Sequence, residues 1–298
     1  MKEYAYSEIF YSMQGEGKYT GEPTAWLRFF LCNLQCNGFG QKDPTDESTY
    51  ILPYKEIDAT QYDSIDKLPV FEYGCDSSYS WSKKFKHLQN KATPDVIGER
   101  ILDYIPNRSF DRNIHMCFTG GEPLMKHAQE ASVEIMRYFD SIGQVPLSCT
   151  YESNGTQRFT EEFWHYWQNE GSNCAQLFLS FSPKLFTVSG EKRDRAIKPS
   201  IIKEWQEHFL DGQLKFVVNG TQECWDELDE VLEMLTDAGV SFDLYPIWIM
   251  PLGGTIEGQN GEIDGHIPAS EIADEALRRG YRVSARVHTY LWGNAIGK

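Results

Sequence analysis

The 298-residue sequence has no apolar run approaching the roughly 20 residues that cross a bilayer. Its opening, MKEYAYSEIF, lacks the apolar core of a signal peptide. These two absences set the expectation of a soluble, cytoplasmic protein with no membrane partner. Basic residues are scarce: 28 lysines and arginines stand against 44 aspartates and glutamates, a formal net charge of −16. Broad electrostatic binding of nucleic acid needs a basic face, so no direct nucleic-acid binding is expected. An anionic substrate needs a local basic pocket set against this field. An even complement of cysteines is also missing. The seven, at positions 32, 36, 75, 117, 149, 174 and 224, do not suggest a disulfide framework, which leaves metal ligation or buried thiols. Repeats, low-complexity tracts and a clear interdomain linker are absent too. With 41% hydrophobic residues, one domain over 1–298 can fill a sizeable core.

One further absence is a single residue. FLCNLQCNGFG (30–40) spaces Cys32 and Cys36 by three residues, and a cysteine at position 39 completes C-x3-C-x2-C, a three-thiolate cradle for an iron–sulfur cluster; that position holds Phe39. Two cysteines at this spacing also suit buried thiols. Residues 37–74 carry eight acidic and three basic residues, four tyrosines and prolines at 44, 53 and 69, and read as an insertion mostly at the surface. Beyond it stands YGCDSSYSW (73–81). If 37–74 loop out, Cys36 and Cys75 become neighbours at an extra closure cost of about 2 kcal/mol, because loop entropy grows only logarithmically. Cys75 is therefore the expected third thiolate, with Cys117 as its rival.

Strand-like and helix-like stretches alternate through the rest. TAWLRFFL (24–31), IHMCFTGG (114–121), VPLSCTYESNG (145–155), QLFLSFSPK (176–184) and GQLKFVVNG (212–220) read as strands, while 127–143 and 224–239 have helical periodicity. VSFDLYPIWIMP (240–251) and GYRVSARVHTYLWGN (280–294) follow. This order predicts βα units and a mainly parallel sheet, whose ligand site lies at the carboxyl ends of the strands. Polar residues collect there: the Gly120-Gly121-Glu122-Pro123 turn, then Glu152 and Ser153, then Ser182 and Lys184. Cys117, Cys149, Cys174 and Cys224 read as buried thiols, and the Trp164, Tyr166, Trp167 stripe as core or interface.

In combination these motifs resemble the radical S-adenosylmethionine superfamily, and within it the 7-carboxy-7-deazaguanine synthase family. FYSMQGEGKYTGEPTAWLRFFLCNLQC resembles the opening of that family, CDSSYSW its C-D-T-x-Y-x-W, and TGGEPL, ESNGT and SPK recur in the same order. MPLGGT (250–255) resembles an M-P-E-G-x-T segment and RVHTYLWGN (286–294) a closing R-x-H-x-x-x-W-G-N. The sequence departs at the split cluster motif, at Ser77 and Ser153, which each stand for Thr, and at Leu252, which stands for Glu.

The resemblance implies an α/β fold, an incomplete parallel (β/α) barrel modified from six strands and three helices, with the insertion inside the cluster-binding loop. It implies that Cys32, Cys36 and Cys75 bind a 4Fe–4S cluster. S-adenosyl-L-methionine is then held by Gly120, Gly121 and Glu122 at its amino group, and by Glu152, Ser153, Ser182 and Lys184 on the ribose and carboxylate side. It implies a radical ring contraction of 6-carboxy-5,6,7,8-tetrahydropterin to 7-carboxy-7-deazaguanine with loss of ammonia, as in queuosine-type biosynthesis. Gln14, Glu16, Arg28 and His288 are the implied substrate contacts and Ser77 the implied Mg²⁺ ligand; no side chain is given a catalytic role of its own. An electron donor such as flavodoxin or ferredoxin, and a homodimer, are implied as partners. The competing expectations are a radical activase acting on a protein, a non-catalytic regulatory protein that keeps the fold, and a structural zinc protein using His87 as fourth ligand.

Overall fold

The computed structural model describes residues 2–110, 114–171, 176–263, 266–293 and 295–297; Cys174 and Asn294 lie outside the described residues. Nine strands form one sheet: β1 (Tyr4–Met13), β2 (Pro23–Phe29), β3 (Asn90–Ala92), β4 (His115–Gly120), β5 (Ser148–Ser153), β6 (Gln176–Phe181), β7 (Gly212–Val218), β8 (Ile247–Pro251) and β9 (Arg282–Val283). Their order is β3-β1-β2-β4-β5-β6-β7-β8-β9. From β2 to β9 the neighbours are parallel, as the βα alternation predicts. Strands β4 to β7 are nearly continuous buried runs, as a parallel sheet covered on both faces requires. Helices Lys126–Ser141 and Gln222–Asp237 follow β4 and β7 directly and bury one face each against that core.

The antiparallel edge made by β1 with β2 and β3 is not announced by the sequence. The register shifts between Tyr6 and Glu8, so the buried positions of β1 (Tyr4, Tyr6, Ser7, Ile9, Phe10) do not alternate. Residues 280–294 supply only the two residues of β9 before turning into the helix Val287–Trp292. Tyr166 is buried, and Trp164 and Trp167 pack partly buried against the core.

The sheet is curled. In a flat sheet β1 and β7 lie five strand spacings apart, about 24 Å. Yet the turn that leaves β1 reaches β7: Lys18 N donates to Gln213 Oε1 at 3.1 Å, and Lys215 Nζ meets Glu16 Oε2 at 2.6 Å. The same turn lays Tyr19 against His115 of β4 and Phe178 of β6, at ring separations of 4.8 and 4.9 Å. It thereby caps the amino ends of the parallel strands.

Residues 37–74 form short helical turns with a small core of their own. Tyr54, Ala59, Ile65, Leu68 and Phe71 bury against Tyr79, Phe85 and Leu88 of the next segment. The two ends of this stretch meet where Gly74 N donates to Phe39 O at 2.7 Å.

Candidate functional site

A cavity of about 320 Å³ opens inside the curl, lined by the carboxyl ends of β4, β5, β6 and β8, by β1, and by the stretches around 32–40, 70–81 and 286–297. One wall carries Cys32, Cys36 and Cys75, each close enough to influence the ionisation of another. None of the three is in a disulfide. Residues 37–74 loop out with their ends together, so sequence separation does not keep Cys75 from the pair. Cys117 instead packs with Phe10 and Trp26 and is fully buried in β4, off the cavity wall. Cys149 and Cys224 are buried as well. His87 bonds to the carbonyl of Ala59 and does not line the cavity.

The loop bearing Cys32 and Cys36 is held in a conformation that side chains rarely adopt: Leu31 has φ 91° and Cys36 φ 52°. Several contacts hold it. Glu191 Oε1 accepts from the backbone N–H of Gln35 and of Cys36, at 2.6 and 2.9 Å. The glycine turn after β4 grips the other side, with Gly121 N donating to Phe29 O (3.1 Å) and Glu122 N to Leu31 O (2.9 Å). A Cβ on Gly121 sits 2.2 Å from Leu31 O, so this close approach demands glycine. Burial raises all three thiols: Cys32 is pushed up to about 12 by burial and then by the charge of Glu122, Cys36 by burial, and Cys75 by burial and then by Asp76. Ser77 Oγ lies 3.5 Å from Cys75 Sγ. Among the described residues no three Cys, His, Asp or Glu side chains form a site for a single metal ion.

A buried charge network also lines the cavity. Lys215, 3% exposed, contacts Glu16 Oε2 at 2.6 Å and Glu152 Oε2 at 3.0 Å. Arg286 donates to Glu16 Oε1 (3.2 Å), Asp76 Oδ2 (2.8 Å) and Gly253 O (3.0 Å). Gln14 Nε2 donates to Glu152 Oε1 at 3.1 Å. Burial alone raises the Glu16 carboxyl, but Lys215 and Arg286 outweigh it and hold Glu16 well below the ordinary carboxylate range. Burial lowers His288 against the pull of Glu16, and its ring fills the space a side chain at Gly15 needs. Arg28 Nε donates to Glu8 Oε1 at 2.6 Å, and Tyr79 OH bonds to the same oxygen at 2.8 Å.

The sign of the Glu16 shift gives a prediction. A carboxyl depressed on folding contributes stability that is present above its unfolded value and lost as pH falls through its folded value. Glu16→Gln is therefore less stable than the native protein at pH 7, and the gap narrows below about pH 4.5, the ordinary glutamate value. Urea unfolding at pH 7 and pH 4 measures this; a gap that stays constant on acidification contradicts it.

Over 305 residues the chain is 25% identical to 7-carboxy-7-deazaguanine synthase of Halobacterium salinarum, covering 97% of this chain and 90% of that one. Against the enzyme of that name from Leptospira interrogans it is 26% identical over 295 residues, covering 97% and 96%. This chain resembles the 7-carboxy-7-deazaguanine synthases along nearly its whole length. The crystal structure of QueE from Escherichia coli matches it with a TM-score of 0.51 at 19% identity, covering 96% of this chain and 95% of that one, which bears out the mixed α/β fold. No family model matches the chain.

Of the residues that the synthase resemblance singles out, all but Glu122 line the cavity. Glu122 is fully buried; its oxygens accept from Leu124 N (2.9 Å), Ser153 Oγ (2.7 Å) and Asn154 N (2.8 Å), so it ties the glycine turn to the end of β5. Lys184 Nζ donates to Ser182 Oγ at 2.9 Å beside the cysteine wall. Sequence reasoning passed over Lys215, Arg286 and Glu191. Lys215 does leave a trace, as the one charge inside the apolar strand GQLKFVVNG. Glu191 leaves none, because it acts on the backbone of a distant loop.

Proposed function

We propose that the chain is a 7-carboxy-7-deazaguanine synthase that contracts the ring of 6-carboxy-5,6,7,8-tetrahydropterin and releases ammonia. The observation that carries this reading is Cys75. Thirty-eight residues separate it from Cys36, yet it lines one cavity wall with Cys32 and Cys36. The donor set fits an iron–sulfur cluster: three soft thiols, not in disulfides, whose thiolate form suffers from burial and needs a cationic partner. A 4Fe–4S cluster takes its thiolates at separate irons, so it does not need three groups aimed at one point. Cys32, Cys36 and Cys75 are the residues to hold it, within a curled sheet that we read as the incomplete (β/α) barrel of the radical type. When bound, the cluster and S-adenosylmethionine supply the one-electron chemistry that starts the reaction.

The chain's own residues bind, orient and shield. Gly120 and Gly121 bring backbone close to the methionine amino group, and Glu122 fixes the shape of that turn beside it. Glu152, Ser153, Ser182 and Lys184 face the ribose and carboxylate. The Nε of Arg28 is fixed by Glu8, leaving the other guanidinium donors for a forked grip on the substrate carboxylate. Gln14 and Glu16 supply acceptors for the pterin N–H groups, and His288 stands beside Glu16. Ser77 offers a hydroxyl oxygen to Mg²⁺, a cation that takes oxygen ligands and keeps several waters.

The test is anaerobic turnover after reconstitution with iron and sulfide, with S-adenosylmethionine, Mg²⁺, a strong reductant and 6-carboxytetrahydropterin. Mass spectrometry is expected to find 7-carboxy-7-deazaguanine, and Cys75→Ala to lose both product and cluster absorbance. A loaded cluster with no product moves the substrate elsewhere; no cluster at all overturns the reading.

A further inference from the structure

Residues 189–196 belong to none of the motifs, yet they clamp the loop that carries Cys32 and Cys36. Glu191 Oε1 accepts from Gln35 N (2.6 Å) and Cys36 N (2.9 Å). Gly38 N donates to Ser189 O at 2.9 Å, and Arg195 Nη2 donates to Asn33 O at 2.9 Å. Ala196, at the end of the short helix Arg193–Ala196, packs on Leu34 and Cys36. A Cβ on Gly38 meets Gly190 N at 2.5 Å, so the two segments touch backbone to backbone.

Within this clamp Glu191 is the buried charge, 6% exposed. One of its oxygens takes the N–H groups of two consecutive residues, and a charged acceptor makes such bonds about twice as strong as a neutral one. Cys36 needs that hold. Its φ of 52° lies where a side chain is strained by about 1–3 kcal/mol, a conformation that persists only when its surroundings enforce it. The same bonds settle what surrounds the thiols. Leu34 N donates to Cys32 Sγ at 3.4 Å, whereas the N–H groups of Gln35 and Cys36 are turned onto the carboxylate. Donors on a ligand sulfur make a cluster easier to reduce; a negative charge close to the ligands makes it harder. Arg195 Nη1 lies 3.7 Å from Glu191 Oε2, but its side chain is 55% exposed and offsets little of that charge.

Building on the synthase reading, we infer that Glu191 is a positioning residue of the cluster site: it fixes the loop that presents Cys36, and its charge keeps the reduction potential of the bound cluster low. Glu191 does not line the cavity, so it acts through the backbone of Gln35 and Cys36 rather than on substrate.

The experiment uses the full chain after anaerobic reconstitution and two readouts: the rate at which a chelator strips iron, and the midpoint potential from a reductive titration followed by electron paramagnetic resonance. Glu191→Ala removes the anchor and is expected to lose iron about tenfold faster, the usual scale for a group that orients a metal ligand. Glu191→Gln keeps an acceptor oxygen without the charge. It is expected to hold iron within about twofold of the native protein while its midpoint moves to a more positive potential, which a purely structural role does not produce. Glu227 is the control, since it too is buried and accepts from two backbone N–H groups, Phe186 N at 2.9 Å and Thr187 N at 2.8 Å, in a loop without cysteine. Glu227→Gln is expected to leave both readouts at native values. Circular dichroism checks that each variant is folded; if Glu191→Ala is not, the potential of Glu191→Gln decides. A native stripping rate in folded Glu191→Ala, or a native potential in Glu191→Gln, overturns the role of Glu191 and leaves the synthase reading intact. A native protein that takes up no cluster overturns the synthase reading, and the inference falls with it.

Discussion

Lys215→Met is expected to lower the unfolding free energy by about 3–5 kcal/mol, the usual cost of removing one partner from a buried ion pair. Methionine keeps the volume of the lysine stem and removes the charge, so packing contributes little. The loss is electrostatic. Glu16 and Glu152 both turn an oxygen to Lys215, at 2.6 and 3.0 Å, and the ammonium is almost wholly enclosed. Without it Glu16 keeps only Arg286, and Glu152 keeps only the amide of Gln14. Burial then pushes the Glu16 carboxyl toward protonation, which reverses its depressed state. Urea unfolding at pH 7 is the measurement. A change below about 1 kcal/mol, the range of an exposed ion pair, shows that the network is solvated rather than buried.

Gly121→Ala carries the second large effect. Its new methyl lies 2.2 Å from Leu31 O and 2.5 Å from Leu31 C, both backbone atoms that cannot swing aside. Either the turn after β4 or the loop with Cys32 must move, breaking the bonds from Gly121 N to Phe29 O and from Glu122 N to Leu31 O. Overpacking of about 1–3 kcal/mol and two lost hydrogen bonds of about 1 kcal/mol each bring the expected destabilisation to about 3–5 kcal/mol. On the cluster reading, a shift on either side of this contact disturbs the loop that presents Cys32, and bound iron after anaerobic reconstitution is expected to fall along with stability. Gly143→Ala is the control: its φ is 69°, but nothing lies within 4 Å of the added methyl. It costs about 1 kcal/mol of backbone strain and leaves iron binding unchanged. Equal iron content in both variants refutes the coupling between turn and loop.

Much of this architecture can be read from residues alone. The parallel strands announce themselves as apolar runs ending in glycine or polar turns, and β4, β5 and β6 lie within the stretches read as strands, 114–121, 145–155 and 176–184, and end short of their limits, at Gly120, Ser153 and Phe181. The meeting of Cys75 with Cys32 and Cys36 was legible because a logarithmic closure cost makes a long intervening loop cheap. The antiparallel edge was hidden, since the register shift in β1 erases the period of two that marks a half-buried strand. The charge network was hidden for a different reason. Glu16 follows β1, Lys215 sits on β7 and Arg286 follows β9, and only the curl of the sheet makes them neighbours. Glu122 illustrates a third limit: its place in the Gly-Gly-Glu-Pro turn is plain, but whether its oxygens face the cavity or the loop depends on donors more than thirty residues away, Ser153 and Asn154.

The junction between Phe39 and Gly74 has a consequence for how such proteins are found. A hydrogen bond of 2.7 Å joins the two ends, so Cys36 and Cys75 stand near each other although thirty-eight residues lie between them. The separation of Cys36 and Cys75 in space is set by the fold, not by the number of residues between them. Any signature that counts residues between cysteines reads that number and misses the proximity. The stretch that begins at Cys75 itself, Cys75-Asp76-Ser77-Ser78-Tyr79-Ser80-Trp81, is independent of how many residues lie between Cys36 and Cys75.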